Sequence, residues 1–339
     1  MLKLDTVLLA GPIQRVAETA QAAERLGFDG LMTAETSHDP FLPLMIAAEH
    51  TDAIELGTSI AVAFPRSPMI TAHTAWDLQD YSGGRFLLGL GTQVKGHNEK
   101  RFSVPWLSPG PRLRELIESL HAIWTCWQEG KRLAYAGKFY QFSLMTPFFN
   151  PGPIGTRRPP IYIAGVNEYI CRLAGELCDG FHIHPLNSAK YLEQVIVPLI
   201  AEGAATAGRD PSRITLVAPC FVVMGENDEQ RQEASMAVRQ QIAFYASTRT
   251  YRAVLELHGW NELGPRLHEC SQKGAWSEMA EQITDEVLET FAVIGRRDEI
   301  PALLKKRFEG RVQRLSLYMP FVPGSDDDWW QEVIRTLHA

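Results

Sequence analysis

The stretch PIYIAGVNEYICRLAGELCDGFHIH, residues 160–184, decides the fold that this sequence predicts. A short apolar run, Ile161–Ala164, is followed by an amphipathic helical segment, Glu168–Cys178, and then by a second apolar run, Gly180–His184. A strand, a helix and a strand in this order form a βαβ unit, in which the two strands lie parallel. The segment therefore predicts a parallel sheet that is covered by helices.

The same alternation continues outward from this unit in both directions. We number the predicted strands 1 to 8 in chain order: Lys3–Leu9, Gly30–Glu35, Ile54–Phe64, Phe86–Leu90, Ile161–Ala164, Gly180–His184, Ile214–Val223 and Arg314–Met319. The predicted helices are Pro12–Leu26, Phe41–Thr51, Pro68–Tyr81, Arg112–Trp127, Glu168–Cys178, Ala189–Ala207 and Asp327–Leu337. This pattern favours the α/β class and a closed (β/α)8 TIM barrel. An open doubly wound sheet would need a Gly-x-Gly-x-x-Gly turn, and Gly89, Gly91 and Gly96 do not have that spacing.

Two segments interrupt the alternation, and we interpret them as insertions in a single domain over residues 1–339. Residues 130–159, after strand 4, contain a predicted hairpin over Tyr135–Tyr140 and a proline-rich passage. We expect this insertion to wrap over one end of the barrel. Residues 228–290, between strands 7 and 8, are mainly helical and show no obvious barrel strand.

Charge, hydropathy and cysteine content exclude several classes of function. The net charge of −7 argues against a nucleic-acid-binding surface, which is normally basic. No apolar run approaches the roughly 18 residues that suggest a membrane span, and the N-terminus shows no signal-peptide pattern. The 5 cysteines are scattered without a Cys-x-x-Cys pair, which predicts reduced thiols in a cytoplasmic protein. We expect a homodimer that binds a small molecule, with neither nucleic acid nor membrane as a partner.

The active site of an α/β barrel lies in the loops that follow the C-terminal ends of its strands. That rule selects Glu35, Thr36, Ser37, His38 and Asp39 after strand 2; Thr58, Ser59 and Ile60 on strand 3; Gly91, Thr92, Gln93, His97 and Asn98 after strand 4; Gly165, Val166 and Asn167 after strand 5; and His182 and His184 on strand 6. Each has a purely structural alternative, since Asn167 can cap a helix and the glycines can serve turns. Their accumulation at successive strand ends predicts one binding site at this face.

Four segments of the sequence resemble the luciferase-like monooxygenase superfamily. They are Ile54–Ile60 (IELGTSI), Ser82–Thr92 (SGGRFLLGLGT), Pro160–Gly165 (PIYIAG) and Leu173–Phe181 (LAGELCDGF), and their order and spacing match over nearly the whole chain. The stretches His38–Phe41 (HDPF) and Phe64–Pro68 (FPRSP), together with His97 and Asn98, resemble the branch that uses coenzyme F-420, an 8-hydroxy-5-deazaflavin. The resemblance implies a TIM barrel that binds F-420, with FMN as the alternative cofactor.

The resemblance also implies a set of cofactor-binding residues. The family has a strand bulge with a non-prolyl cis peptide behind the central ring, contacts to the ring and its side chain after strand 4, and a phosphate site at the helix start after strand 5. A helix N-terminus suits a phosphate because its N–H groups are unpaired and its dipole end is positive. The matching positions here are Ser59 and Ile60 for the bulge, Gly91, Thr92, Gln93 and Asn98 after strand 4, and Gly165, Val166 and Asn167 for the phosphate.

The sequence departs from the sugar-phosphate dehydrogenases of this branch at two positions. They carry a glutamate proton donor just after strand 4, where this chain has Gln93, and an acid followed by histidine after strand 2, where it has Glu35 and Thr36. An amide cannot exchange a proton usefully near neutral pH, so oxidation of a sugar phosphate is not expected. If the reaction needs a proton, the candidate catalytic residues are Glu35, His38, His97 and His184.

The sequence therefore predicts an oxidoreductase that transfers a hydride between F-420 and a small organic substrate. We expect an apolar pocket, which Trp106, Phe148 and Phe149 close. An FMN-dependent monooxygenase is an alternative, because it would use the same ring and phosphate site, and a non-catalytic flavin-binding protein is another. A metal-dependent barrel hydrolase could use His182 and His184, which share one side of a strand, but strand 1 has no histidine and strand 8 no acid. We predict no metal site.

Overall fold

The computed structural model of the chain describes residues 1–8 and 11–339, so the predicted end of strand 1 at Leu9 lies outside the described residues. Eight parallel strands form a closed barrel in which each strand pairs with the next and β8 pairs with β1. They are β1 (Lys3–Leu8), β2 (Gly30–Thr33), β3 (Glu55–Thr58, continued by Ala61–Val62), β4 (Phe86–Gly91), β5 (Ile161–Ala164), β6 (Gly180–His182), β7 (Thr215–Gly225) and β8 (Arg314–Leu317). The predicted α/β class and the (β/α)8 TIM barrel are confirmed.

Some of the helices begin or end at caps that the sequence supplies. The helix Pro68–Tyr81 starts after Ser67, whose side chain accepts a hydrogen bond from the N–H of Ile70. The helix Val16–Leu26 ends at Gly27, whose φ of 94° lies in the left-handed region that favours glycine. The further α-helices are Leu42–Glu49, Lys95–Lys100, Pro109–Glu129, Glu168–Leu177, Ala189–Tyr191, Val197–Thr206, Asp228–Ala246, Arg252–Leu257, Leu263–Lys273, Trp276–Glu281, Asp285–Phe291, Ile300–Phe308 and Asp327–His338.

Side chains fill the interior of the barrel in layers, as in other closed α/β barrels. In the layer nearest the N-terminal ends of the strands, the guanidinium of Arg314 donates hydrogen bonds to both carboxylate oxygens of Asp5 and to Glu55. The next layer is apolar and consists of Met32, Leu87, Tyr162 and Val217. The interior is therefore a packed core, and any ligand must bind above it.

The strands β3 and β4 approach most closely just below the C-terminal mouth of the barrel. The hydroxyl of Thr58 donates to the carbonyl oxygen of Gly89 at 2.7 Å and accepts from the N–H of Gly89 at 2.9 Å. A Cβ added at Gly89 would lie 1.8 Å from the carbonyl oxygen of Thr58 and 2.8 Å from Nε2 of His182. Only glycine fits at this position, which forms the floor of the mouth.

The sequence pattern does not predict the helix Lys95–Lys100 or the strand Ala292–Arg296. The helix contains a glycine and has no apolar periodicity, so its sequence gives no helical signal. The strand pairs in parallel with Phe221–Gly225, the part of β7 that extends beyond the barrel. Its five residues follow a helix directly, and the strand with which it pairs is distant in sequence.

The first insertion, residues 130–159, lies against the outer face of two helices. The indole N–H of Trp76 donates to the carbonyl oxygen of Gly152 at 3.3 Å, and the side-chain amide of Gln79 donates to that of Arg157 at 3.0 Å. Its prolines keep the passage extended, and its carbonyl groups bind these donors on the helix surface. That this insertion wraps over one end of the barrel stays a prediction.

The second insertion, residues 228–290, is helical, as its sequence predicts. Its first helix, Asp228–Ala246, follows the extended part of β7 and ends beside the barrel mouth, where Tyr245 reaches Tyr318 just after β8. This insertion forms one side of the mouth. Among the described residues, none of the helices is both long enough and apolar enough to cross a bilayer.

Candidate functional site

A row of half-buried residues lies at and just after the C-terminal ends of β3 to β6, whereas the residues below these ends are mostly buried. The row, which we call the mouth cradle, consists of Ser59, Ile60, Thr92, Gln93, Ala164, Gly165, Val166 and His184. The strand register makes these ends neighbours, because Gly91 pairs with Ala164 and Ala164 pairs with His182. The residues of the mouth cradle therefore lie side by side at the C-terminal end of the barrel.

The predicted strand 3 is interrupted at Ser59 and Ile60, which the sequence pattern alone presents as one continuous strand. The peptide bond between these two residues is cis, as the family resemblance implied. The N–H of Ser59 donates to the carbonyl oxygen of Thr33 at 2.6 Å. The side chain of Ile60 packs on Gly91, where an added Cβ would lie 2.8 Å from Cδ1 of Ile60. The bulge prediction is confirmed, and Gly91 serves as the contact surface for Ile60.

The loop after β4 is held by a buried amide. Asn98 donates from its side chain to the carbonyl oxygens of Thr92 at 2.9 Å and Val94 at 3.1 Å. Its side chain is fully buried, so it positions the loop and offers no surface to a ligand. Gln93 has a positive φ of 57°, and its side-chain oxygen accepts from the N–H of Val94 at 3.0 Å. Contact with a cofactor ring therefore stays a prediction for Thr92 and Gln93.

The loop after β5 has the form of an anion site. The side chain of Asn167 caps the helix Glu168–Leu177 by accepting from the N–H of Ile170 at 2.9 Å, as its structural alternative predicted. Within residues 1–8 and 11–339, no group accepts from the N–H groups of Val166, Asn167 or Glu168. Unpaired N–H groups at the start of a helix bind anions well.

Glu35 joins the loops after β2 and β3, and its geometry does not support a role as proton donor. Its carboxylate, with a side-chain exposure of 6%, accepts from Arg66 at 2.6 Å and from the N–H of Val62 at 2.7 Å. Arg66 also pairs with Asp39 at 3.0 Å. Asp39 in turn accepts from the N–H of Phe41 at 2.8 Å and starts the following helix. The sequence could not show the pair, because Glu35 and Arg66 lie on different loops.

The structure separates the three histidine candidates. His38 is exposed beside a cavity of about 860 Å³ between the loops after β1 and β2 and the segment Phe321–Pro323. His97 is exposed on the helix Lys95–Lys100. His184 is half-buried in the mouth cradle. It is therefore the histidine of the three that shares a space with the predicted cofactor positions.

His182 lies below the mouth cradle, inside the barrel. Its Nδ1 is 3.4 Å from the hydroxyl of Ser59, and its Nε2 is buried without a hydrogen-bond partner among the described residues. Burial lowers the pKa of His182 to about 3, and Arg314 adds to this effect, so the ring is neutral at ordinary pH. His182 thus supports Ser59 from below.

A group of tyrosines that the sequence pattern does not single out surrounds His184. The ring of His184 stacks on Tyr251 with 4.2 Å between centroids, and Tyr245 meets it edge-on at 4.6 Å. The hydroxyls of Tyr245 and Tyr318 are 2.5 Å apart. We call Tyr245, Tyr251 and Tyr318 the tyrosine wall. Tyr318 directly follows β8, so the rule that active-site residues follow the barrel strands could have identified it. Tyr245 and Tyr251 belong to an insertion without a barrel strand, so that rule does not apply to them.

The aromatic residues that were expected to close the pocket do not do so together. Phe148 and Phe149 pack on each other and are 88% and 64% exposed, so they close no pocket in this chain. They follow the outer face of the helices with the rest of the first insertion. Trp106 is half-buried and meets Phe64 edge-on at 6.2 Å between centroids, close to the end of β3.

The His182–His184 pair has no further metal ligands around it. In the part of the chain that the structure describes, no three histidine, cysteine, aspartate or glutamate side chains are grouped so that they could hold a metal ion. The two imidazoles instead contact Ser59 and the tyrosine wall.

The family model described as luciferase-like monooxygenase matches residues 3–314 of the chain. The chain belongs to this family. A protein of Mycobacterium tuberculosis whose function is uncharacterised is 49% identical over 314 residues, which cover 93% of this chain and 92% of the relative. The predicted superfamily is therefore confirmed.

Two further comparisons concern the branch within the luciferase-like monooxygenase family. The 5,10-methylenetetrahydromethanopterin reductase of Archaeoglobus fulgidus is 29% identical over 308 residues, covering 89% of this chain and 88% of that protein. The crystal structure of the coenzyme F420-dependent tetrahydromethanopterin reductase from Methanopyrus kandleri superposes with a TM-score of 0.78 at 21% identity, covering 99% and 98% of the two chains. The Archaeoglobus relative and the family agree with an oxidoreductase, and the superposed structure agrees with the fold.

Proposed function

We propose that this chain is an oxidoreductase that transfers a hydride between coenzyme F-420 and a small organic substrate at the mouth of the barrel. The observation that carries the proposal is the mouth cradle itself. Half-buried positions follow the ends of β3, β4, β5 and β6 in turn, above a floor that is closed at Thr58 and Gly89. A flat tricyclic ring needs such a shallow, continuous surface.

The residues present fit the phosphate end of this cofactor. The N–H groups of Val166, Asn167 and Glu168 have no acceptor among the described residues and stand at the positive end of a helix. A Cβ added at Gly165 would lie 2.4 Å from the side chain of Ile170, so the backbone can take this turn only without a side chain. We assign Gly165, Val166 and Asn167 to the phosphate.

The ring end of the site is formed by Ser59, Ile60, Thr92 and Gln93. Ile60 is held against Gly91, and Ser59 is supported from below by His182. When F-420 is bound, it supplies the hydride chemistry. The chain's own groups bind and orient it, and they leave the space on the side of His184 and the tyrosine wall for the substrate. FMN also has a tricyclic ring and a phosphate, as F-420 does, so the binding experiment must compare the two cofactors.

A binding titration tests the proposal. We expect the purified chain to bind F-420, with quenching of tryptophan fluorescence, and to bind FMN at least about tenfold more weakly. Riboflavin, which has no phosphate, is the matched control for the phosphate site, and it should bind more weakly than FMN. Tight binding of FMN without affinity for F-420 would sink the assignment and favour a flavin-dependent monooxygenase.

A further inference from the structure

His184 has one ring nitrogen that is fixed by the backbone and one that has no hydrogen-bond partner among the described residues. Its Nδ1 accepts a hydrogen bond from the N–H of Leu186 at 3.1 Å. Because the accepting nitrogen carries no proton, the neutral ring has its proton on Nε2. The ring is half-buried in the mouth cradle and is packed by Tyr251 on its face and Tyr245 at its edge. Nε2–H is therefore a hydrogen-bond donor in a fixed position.

The surroundings of His184 carry no charge at neutral pH. Burial lowers the pKa of His184 to about 3, and no charged side chain in residues 1–8 and 11–339 contributes to this shift. The titratable groups packed against the ring are the phenols of Tyr245 and Tyr251, and burial raises the pKa of both, that of Tyr251 to about 12. Tyr318, which hydrogen-bonds Tyr245, is also a phenol. All of these groups are neutral donors, acceptors or flat apolar faces.

The acidic candidates on the other side of the mouth are already paired. Glu35 and Asp39 both bind the guanidinium of Arg66, at 2.6 Å and 3.0 Å. An ionised ligand placed against His184 would lose its hydration without gaining a counter-charge from this wall, and burial of an unpaired charge is unfavourable. A flat, uncharged group would instead pack on aromatic faces and keep one hydrogen bond.

We propose that His184 and the tyrosine wall form a substrate subsite for an uncharged planar group with a hydrogen-bond acceptor, such as an aryl ketone or amide, which Nε2–H of His184 binds. The inference rests on the proposed function and deepens it by giving the substrate class. It disfavours carboxylates and phosphates at this position, in agreement with the loss of the sugar-phosphate pattern at Gln93. His184 acts here as a hydrogen-bond donor and not as a proton shuttle.

Nuclear magnetic resonance of the ¹⁵N-histidine-labelled chain tests this subsite directly. We expect the signal of His184 to show the neutral form protonated on Nε2, without titration between pH 5 and 8. Acetophenone, the neutral probe, should shift this signal at about 10 mM, whereas benzoate, its anionic counterpart of similar size, should shift it at least about fivefold less. The exposed His97 is the internal control, because neither probe should move its signal.

The variant His184→Phe keeps the ring stacking but removes the donor. Acetophenone should bind it about fivefold or more weakly, as judged from the shifts of the remaining signals, and His184→Gln should recover part of the loss because its amide can donate. A benzoate shift equal to that of acetophenone, no acetophenone shift at all, or titration of His184 between pH 5 and 8 would overturn the inference. The experiment is run without cofactor and again with whichever cofactor binds in the titration. Failure of the subsite can therefore be distinguished from failure of the F-420 assignment.

Discussion

Replacing Arg314 by methionine is expected to lower the free energy of unfolding by about 3–5 kcal/mol, because it leaves a buried carboxylate without its partner. Arg314 and Asp5 have side-chain exposures of 4% and 0% and form a two-point contact, and Glu55 binds the same guanidinium. Burial alone would lower the pKa of Arg314, but the two carboxylates hold it above its ordinary value. The change is measured by urea denaturation.

The pH dependence of this variant has a definite sign. Burial raises the pKa of Asp5, and in the variant Arg314→Met no guanidinium opposes that effect. Above the raised pKa the charge of Asp5 has no partner and destabilises the fold. The loss of unfolding free energy should therefore shrink as the pH falls and Asp5 becomes protonated.

Adding Asp5→Asn to the variant Arg314→Met should recover about half of the lost unfolding free energy or more at pH 7. The exposed pair Arg296–Asp298 provides the control, since Arg296→Met should leave the denaturation midpoint unchanged. Equal losses in both arginine variants would contradict the account of the ion cluster.

Replacing Val166 by aspartate is expected to raise the dissociation constant of F-420 by about 100-fold, which corresponds to about 2.7 kcal/mol. The new carboxylate would stand at the start of the helix Glu168–Leu177, where we place the cofactor phosphate. Two like charges at close range repel strongly in a half-buried site. The measurement is the fluorescence titration of cofactor into the variant, and the loss should decrease at high salt.

Val166→Asn is the matched control, because asparagine has nearly the shape of aspartate and no charge. It should bind F-420 within about threefold of the unmodified chain. The aspartate variant should be at least as stable as the unmodified chain, since an acid at a helix N-terminus stabilises the helix by about 0.3–1 kcal/mol. Binding and stability would thus change in opposite directions. Equal weakening in both variants would indicate a steric effect and remove the argument for a phosphate at this position.

The sequence predicts the barrel because each element carries its own local signal. The helix Pro68–Tyr81 has the predicted bounds, since Ser67 and Pro68 mark its start and its apolar spacing runs to its end. The strand Ile161–Ala164 is likewise as predicted, because it is a fully apolar run between a proline pair and a helix cap. Once the barrel is predicted, Ser59 and Gly165 can be assigned to its active-site face, because they lie at the C-terminal ends of strands.

What the sequence could not show depends on contacts between distant segments. The pairing of Glu35 with Arg66 removes a candidate proton donor, and it is visible only when the loops after β2 and β3 are placed side by side. Tyr245 and Tyr251 come to His184 from a helical insertion whose path no periodicity describes. The burial of Asn98 similarly depends on the helix Lys95–Lys100, which has no apolar pattern of its own.

The central claim is that the mouth cradle holds the deazaflavin, and a crystal structure of the chain with bound F-420 tests it most directly. The account predicts that the ring lies against Ser59 and Ile60, and that the phosphate lies within hydrogen-bond distance of the N–H groups of Val166, Asn167 and Glu168. F-420 bound instead in the cavity beside His38, or a cradle that takes up FMN but not F-420 from the same solution, would contradict it.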